Sequence, residues 1–158
     1  MTRTSTVKLI ILAAVVTAGL SIPPAASAQT RFGVRAGIYT RDSDPFVGGE
    51  VLLPFQPRLF FDPNVEVVFA SGSDLVTVNA DFHYDLNAPP GRYLWVGAGP
   101  ALVINDPEPD EPGKRTRAGL NLIIGGGWRT GSGLIPYLQG KVLLSNHTQG
   151  VIAVGVRF

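Results

Sequence analysis

The chain has 158 residues, with 13 basic and 12 acidic side chains, two histidines, 19 glycines and no cysteine. That length allows one domain, the near balance of charge gives no electrostatic case for nucleic acid, and the lack of cysteine excludes both a disulfide framework and a lipid attached through a thiol. The glycine content is high for a soluble fold, yet it follows no collagen period.

Arg3 and Lys8 precede an apolar run, Leu9 to Leu20, and Ala26-Ser27-Ala28 supplies a small-x-small site. These are the parts of a cleavable signal peptide, expected over 1–28. The run falls short of the roughly 20 apolar residues that a spanning helix requires. Cleavage would remove Arg3 and Lys8 and leave one domain, 29–158, with eleven bases against twelve acids.

From Arg31 to Tyr39, Phe32, Val34, Ala36 and Ile38 alternate with Arg31, Gly33, Arg35 and Gly37, which predicts a first strand. A polar turn from Thr40 to Pro45 leads to a second strand, Phe46 to Leu53, with Glu50 on its small or polar face. Pro54 and Pro57 bracket a turn, and a third strand is expected from about Asn64 to Ala70, with Glu66 opposite Val65 and Val67.

The clearest pattern follows. Between Leu75 and Leu86, Thr77, Asn79, Asp81, His83 and Asp85 alternate with Val76, Val78, Ala80, Phe82 and Tyr84. Such alternation is a strand with one wet and one oily face, and its length suits the roughly 9–11 residues of a tilted strand crossing a bilayer. Asn87 to Gly91 breaks the chain, and a fifth strand runs from Arg92 to about Leu102, with Pro100 an awkward fit. The longest loop is expected from Asn105 to Thr116 and carries Asp106, Glu108, Asp110 and Glu111. Strand six follows from Arg117 to Arg129, a Thr130–Gly133 hairpin leads to strand seven, Leu134 to Leu144, and strand eight runs from Gln149 to Phe158.

Eight strands joined by turns, with no helix between, predict an all-β, antiparallel, up-and-down barrel in which the last strand pairs with the first. Alternation alone leaves open which face is outside, since a soluble lipocalin-like barrel with an apolar ligand inside has the same period. Charge breaks the symmetry. Arg35, Glu50, Glu66, Asp81, Lys141 and Arg157 share the phase that carries most of the glycines and amides. The interior of an eight-stranded barrel only just admits side chains, so that phase belongs inside and the apolar phase faces lipid. Three inward acids then meet three inward bases as an ion-pair core.

Aromatic belts are expected at both interfaces. Phe32, Phe55, Phe60, Phe61, Phe82, Tyr84, Trp95, Trp128, Tyr137 and Phe158 fall toward the end that holds the termini, and Tyr39, Phe46 and Phe69 toward the other.

With its leader, eight alternating strands, short turns at the terminal end and a closing run Val151 to Phe158, the chain resembles the small OmpA/OmpX-type outer-membrane barrels. The resemblance implies location in the outer membrane, contact with its lipid and lipopolysaccharide, and a monomer. It also implies that the barrel assembly machinery reads a final strand of alternating apolar residues with a C-terminal aromatic, matched here by Ile152, Val154, Val156 and Phe158. It extends over the barrel alone, so it carries no expectation of the peptidoglycan binding of OmpA's periplasmic domain.

The expected role is that of a non-porin barrel with a structural or surface-interaction task, without enzymatic activity, metal or cofactor. Two chemical readings compete with it. His83, between Asp81 and Asp85 on one face, has the surroundings of a base or metal ligand. His147 lies in the last loop beside Ser145, where a lipid-modifying enzyme would need it, but the His-x-Ser-Asn order of the lipid A deacylases is replaced by Ser145-Asn146-His147. The acidic loop residues Asp106, Glu108, Asp110 and Glu111 are the candidates for an outer contact.

Overall fold

The computed structural model describes residues 30–70, 73–107 and 115–158. The expected leader lies outside the described residues, as do Glu108, Asp110 and Glu111. Eight antiparallel strands close into one barrel: β1 (Arg31–Tyr39), β2 (Asp44–Gln56), β3 (Leu59–Ala70), β4 (Ser73–Asp85), β5 (Arg92–Pro107), β6 (Arg115–Trp128), β7 (Ile135–Leu144) and β8 (Gln149–Arg157). Each strand pairs with its sequence neighbour, and β8 pairs with β1 from Gly33↔Arg157 to Tyr39↔Val151. Reciprocal backbone bonds between Phe32 and Phe158, at 3.2 and 2.9 Å, carry that seam one step further. Closure leaves no strand edge, which is what a bilayer demands of a sheet.

Strand boundaries depart most from expectation beside prolines, and β2 runs through Pro54 to Gln56 instead of ending at Leu53. β3 begins at Leu59, five residues before Asn64, after a two-residue Pro57-Arg58 turn in which Arg58 takes a left-handed φ of 69°. Pro63 sits inside that strand, and the β2–β3 pairing lapses beside it and resumes in the same register. Pro100 does the same to the β4–β5 pairing, which stops at Asn79↔Ala101 and restarts at Phe82↔Ala98. A proline withholds one donor without shifting the strand, so it interrupts a ladder rather than ending it. β5 then continues to Pro107 and absorbs the start of the expected loop; Asp106 pairs with Asp74 there.

The phases are as the alternation requires. Val34, Val47, Leu122, Ile124, Leu138 and Val154 point outward, with Ile124 59% and Val154 57% exposed, while Arg35, Glu50, Glu66, Asp81, Lys141 and Arg157 are buried inside. An apolar girdle of that extent would be an aggregation surface in water and is a solvated surface in lipid. The lipocalin-like alternative needs the opposite arrangement, with the apolar phase lining the interior.

The aromatic expectation needs correction. Tyr39, Phe46, Trp95 and Tyr137 are buried in the lumen rather than set in a belt, and Phe60, cross-strand from buried His83, shares their phase. The far end keeps only Phe69 of its expected three, whereas the terminal end keeps Phe55, Phe82, Tyr84, Trp128 and Phe158 exposed. Each inward aromatic stands in the same phase as an inward glycine or charge of its own strand: Tyr39 with Arg35, Phe46 with Glu50, Trp95 with Gly97 and Tyr137 with Lys141. The phase decides the face, and height along the barrel does not.

The inward glycines make room for these rings. Trp95 is the cross-strand partner of Gly125 and Tyr137 of Gly155. A Cβ at Gly125 would lie 2.4 Å from the indole, and one at Gly155 2.5 Å from the phenol. Large side chains lying over glycines on the next strand fill a narrow lumen without strain.

Candidate functional site

The lumen is built in layers. Toward the far end, Tyr39, Phe46, Val68, Ala101, Val103, Leu143, Val151 and Ala153 form an apolar cluster. Below it lies the polar layer. Glu66 of β3 receives Lys141 Nζ at 2.9 and 2.8 Å, Arg35 Nη2 at 2.8 Å and the Thr77 hydroxyl at 3.0 Å, and it also accepts from the Tyr39 hydroxyl. One carboxylate thus meets donors from β1, β4 and β7, which ties opposite walls of the barrel together. Buried charge is tolerable on those terms, with opposite charge and a full set of hydrogen bonds.

Glu50 of β2 forms a second node, taking Arg157 Nε at 2.5 Å and Arg35 Nη1 at 3.4 Å. Arg157 also lies against two rings that meet edge to face, 4.7 Å from the Trp95 centroid and 4.6 Å from that of Tyr137. Here the terminal half of the lumen is packed shut by Trp95, Ile123, Tyr137 and half-buried Tyr93.

Of the six residues expected to form an ion-pair core, five do so. Asp81 is the correction. Its oxygens accept from Asn64 Nδ2 and Asn121 Nδ2, both at 2.9 Å, and Asn121 and Asn79 extend this amide chain; among the described residues no base forms an ion pair with it. Asn64, Asn79 and Asn121 lie in the inward phase, but which acid faces which amide depends on register, which strand periodicity does not carry.

A further acid escaped the sequence reading. Asp62 of β3 is fully buried, 3.3 Å from His83 Nε2 and 3.9 Å from Arg157 Nη2. It lies cross-strand from Asp81, ahead of the expected strand start at Asn64. Its even-numbered phase with Asn64 and Glu66 was the available signal. His83, expected beside Asp81 and Asp85, instead stacks on Trp95 with ring centroids 6.0 Å apart. No grouping of metal-ligating side chains occurs among the described residues.

The far mouth holds a cavity of about 260 Å³. Val68, Leu75, Val103 and Leu143 line its floor with Tyr39, and Arg41, Asp42, Asp44, Arg117, Ser145 and His147 stand around it. His147 is exposed, and its Nδ1 lies 3.3 Å from Arg117 Nη1. Ser145 Oγ accepts from the backbone N–H of His147 at 3.2 Å rather than facing its ring. A nucleophile and base would need the ring nitrogen on the hydroxyl, so these two side chains are not arranged as such a pair. On the closing strand, Ile152, Val154 and Phe158 are exposed on the outer face with half-buried Val156, and Phe158 stacks on Phe32 at 6.5 Å.

No family model matches this sequence, and no curated protein matches it. Among solved structures, the N-terminal β-barrel domain of Pseudomonas aeruginosa OprF superposes with a TM-score of 0.68 at 14% identity, over 82% of this chain and 95% of that one. Neisserial surface protein A gives 0.61 at 15% identity, over 81% and 94%. The outer-membrane enzyme PagL gives 0.56 at 11% identity, over 81% and 98%. At such identities the likeness is one of fold. The chain has the eight-stranded fold of outer-membrane β-barrels, and its outward apolar phase is the surface that such a location demands.

Proposed function

We propose that this protein is a small, monomeric, non-porin barrel of the outer membrane, with a structural or surface-interaction role rather than transport or catalysis. The observation that carries this reading is the filled lumen. An apolar cluster, a polar layer tied by Glu66 and Glu50, and the cluster of Trp95, Tyr137 and Arg157 follow one another along the axis. Eight strands enclose space for side chains and little else, so solute passage would require disrupting several buried ion pairs at once. What the barrel offers its surroundings is therefore its exterior. The apolar girdle takes lipid, the far mouth takes whatever meets it at the surface or in the lipopolysaccharide layer, and Ile152, Val154, Val156 and Phe158 serve the assembly machinery.

Expression of the full chain followed by fractionation tests the location. Recovery with the outer membrane, together with a gel band that migrates differently before and after boiling, is the expected outcome; recovery as a soluble periplasmic protein would overturn it. Planar bilayers containing the refolded barrel should show no steady ion conductance. A stable conducting state would defeat the non-porin assignment.

A further inference from the structure

Four arginines gather at the end of the barrel that holds the termini. Arg31 opens β1, Arg58 sits in the β2–β3 turn, Arg92 opens β5 and Arg129 directly follows β6. Arg58, Arg92 and Arg129 are exposed and Arg31 is half-buried. Half-buried Asp85, at the end of β4 and within the field of Arg31 and Arg58, is the only acidic side chain of this rim among the described residues, and none of the four arginines forms a direct ion pair with a described acidic side chain. At the far mouth, by contrast, Arg41 and Arg117 are mixed with Asp42 and Asp44.

Two of the four are held on one side chain. The Arg31 guanidinium lies 5.3 Å from the Tyr93 ring centroid, and Arg129 Nε donates to the Tyr93 hydroxyl at 3.2 Å. Arg129 N–H also bonds to the Gly91 carbonyl at 2.7 Å, and Arg92 is the cross-strand partner of Trp128, which draws a third cation to the same corner. Like charges fixed around one phenol repel each other, and an anion shared between them removes that cost. All four are arginines, whose forked donors match the oxygens of a phosphate better than an ammonium does.

Each cation also stands beside an aromatic that faces outward. Arg31 is next to Phe32 and its stacking partner Phe158, the hairpin carrying Arg58 also bears Phe55, and Arg92 and Arg129 flank Trp128. Aromatic rings of this kind settle at the level of lipid headgroups, which puts cations one step further out at the level of the phosphates.

We propose that this rim is a binding ring for anionic phospholipid headgroups of the leaflet at the terminal end, with the Tyr93 corner as its tightest seat. The proposal rests on the reading of the barrel as a bilayer-spanning protein. Anionic lipid held there would fix the depth and orientation of the barrel.

The test uses the full chain in vesicles of mixed phosphatidylcholine and phosphatidylglycerol, with spin-labelled versions of each lipid reporting which one the barrel holds. The wild type should prefer phosphatidylglycerol several-fold, and added salt should weaken that preference. A variant with Arg31, Arg58, Arg92 and Arg129 all changed to Gln should lose it, and Arg41→Gln with Arg117→Gln at the other mouth should keep it. If the fourfold variant fails to fold, Arg92→Gln with Arg129→Gln, both exposed, carries the test and should lose most of the preference. No preference in the wild type, or equal preference in wild type and variant, overturns the proposal. Retention of soluble polyphosphate in place of lipid also overturns it, in favour of a water-soluble polyanion at the same ring. The heat-dependent gel shift is scored on every sample. Its absence from the wild type counts against the bilayer-spanning reading, whereas a shifted barrel without lipid preference counts against the ring alone.

Discussion

Two buried acids one turn of the ladder apart, Glu66 and Asp62, have opposite surroundings. Glu66 is met by Arg35, Lys141, Tyr39 and Thr77, every one within hydrogen-bonding reach. Asp62 is just as deeply buried, yet neither of its oxygens has a hydrogen-bond partner among the described residues, and the nitrogens of neighbouring His83 are likewise without one. Around Glu66, order comes from directed polar bonds. Around Asp62 it comes from shape: Trp95 against His83 and Gly125, Tyr137 against Gly155, and Arg157 against both rings. A narrow barrel can thus be filled by either means, and the two halves should respond differently to substitution.

The largest expected effect is at the satisfied node. Glu66→Leu strands Lys141 and leaves Arg35 with Asn64 and only its longer contact with Glu50 as an ion pair, and removing one partner of a buried ion pair typically costs about 3–5 kcal/mol. Urea unfolding of the refolded barrel in vesicles should show a loss of that size. Adding Lys141→Met in the Glu66→Leu background should restore part of it, because an apolar pair leaves no stranded cation. If the double variant is no more stable than the single, Glu66 does not act through Lys141.

Gly125→Val probes the shape-filled half. Its side chain would collide with the Trp95 indole, and overpacking of this kind costs about 1–3 kcal/mol. Trp95→Leu added to Gly125→Val should relieve the clash, with the fluorescence of Trp128 reporting unfolding. A fully tolerated valine would mean that the indole does not lie over Gly125.

Asp62→Asn should matter least. It keeps the shape of a carboxyl whose oxygens accept no hydrogen bond, so stability should change by less than about 1 kcal/mol. A loss of the size expected for Glu66→Leu would make Asp62 an ion-pair partner of Arg157 in its own right and erase the contrast between the two halves.

Much of this was legible before the fold was known, because a strand's period of two sorts side chains onto two faces without reference to any neighbour. The sides taken by Arg35, Glu50, Glu66, Lys141 and Arg157 follow from that period, as does the outward set from Val34 to Val154. Tyr39, Phe46, Trp95 and Tyr137 were legible too, and were misplaced only because height along the barrel was weighed above phase. Asp62 was hidden because the third strand was expected to begin only at Asn64, after a turn bracketed by Pro54 and Pro57, although a proline costs a strand only one donor.

The sequence by itself determined the number of strands, their antiparallel order and the face of nearly every residue, since these depend on local alternation and on turns. The tertiary structure alone decided which inward groups meet. Arg35 reaches Glu50 and Glu66, Asp81 rests on Asn64 and Asn121, and Arg31 and Arg129 converge on Tyr93 because closure and register bring strands far apart in sequence to the same height. Pairing across a closed lumen is a property of the whole ring, and no single strand contains it.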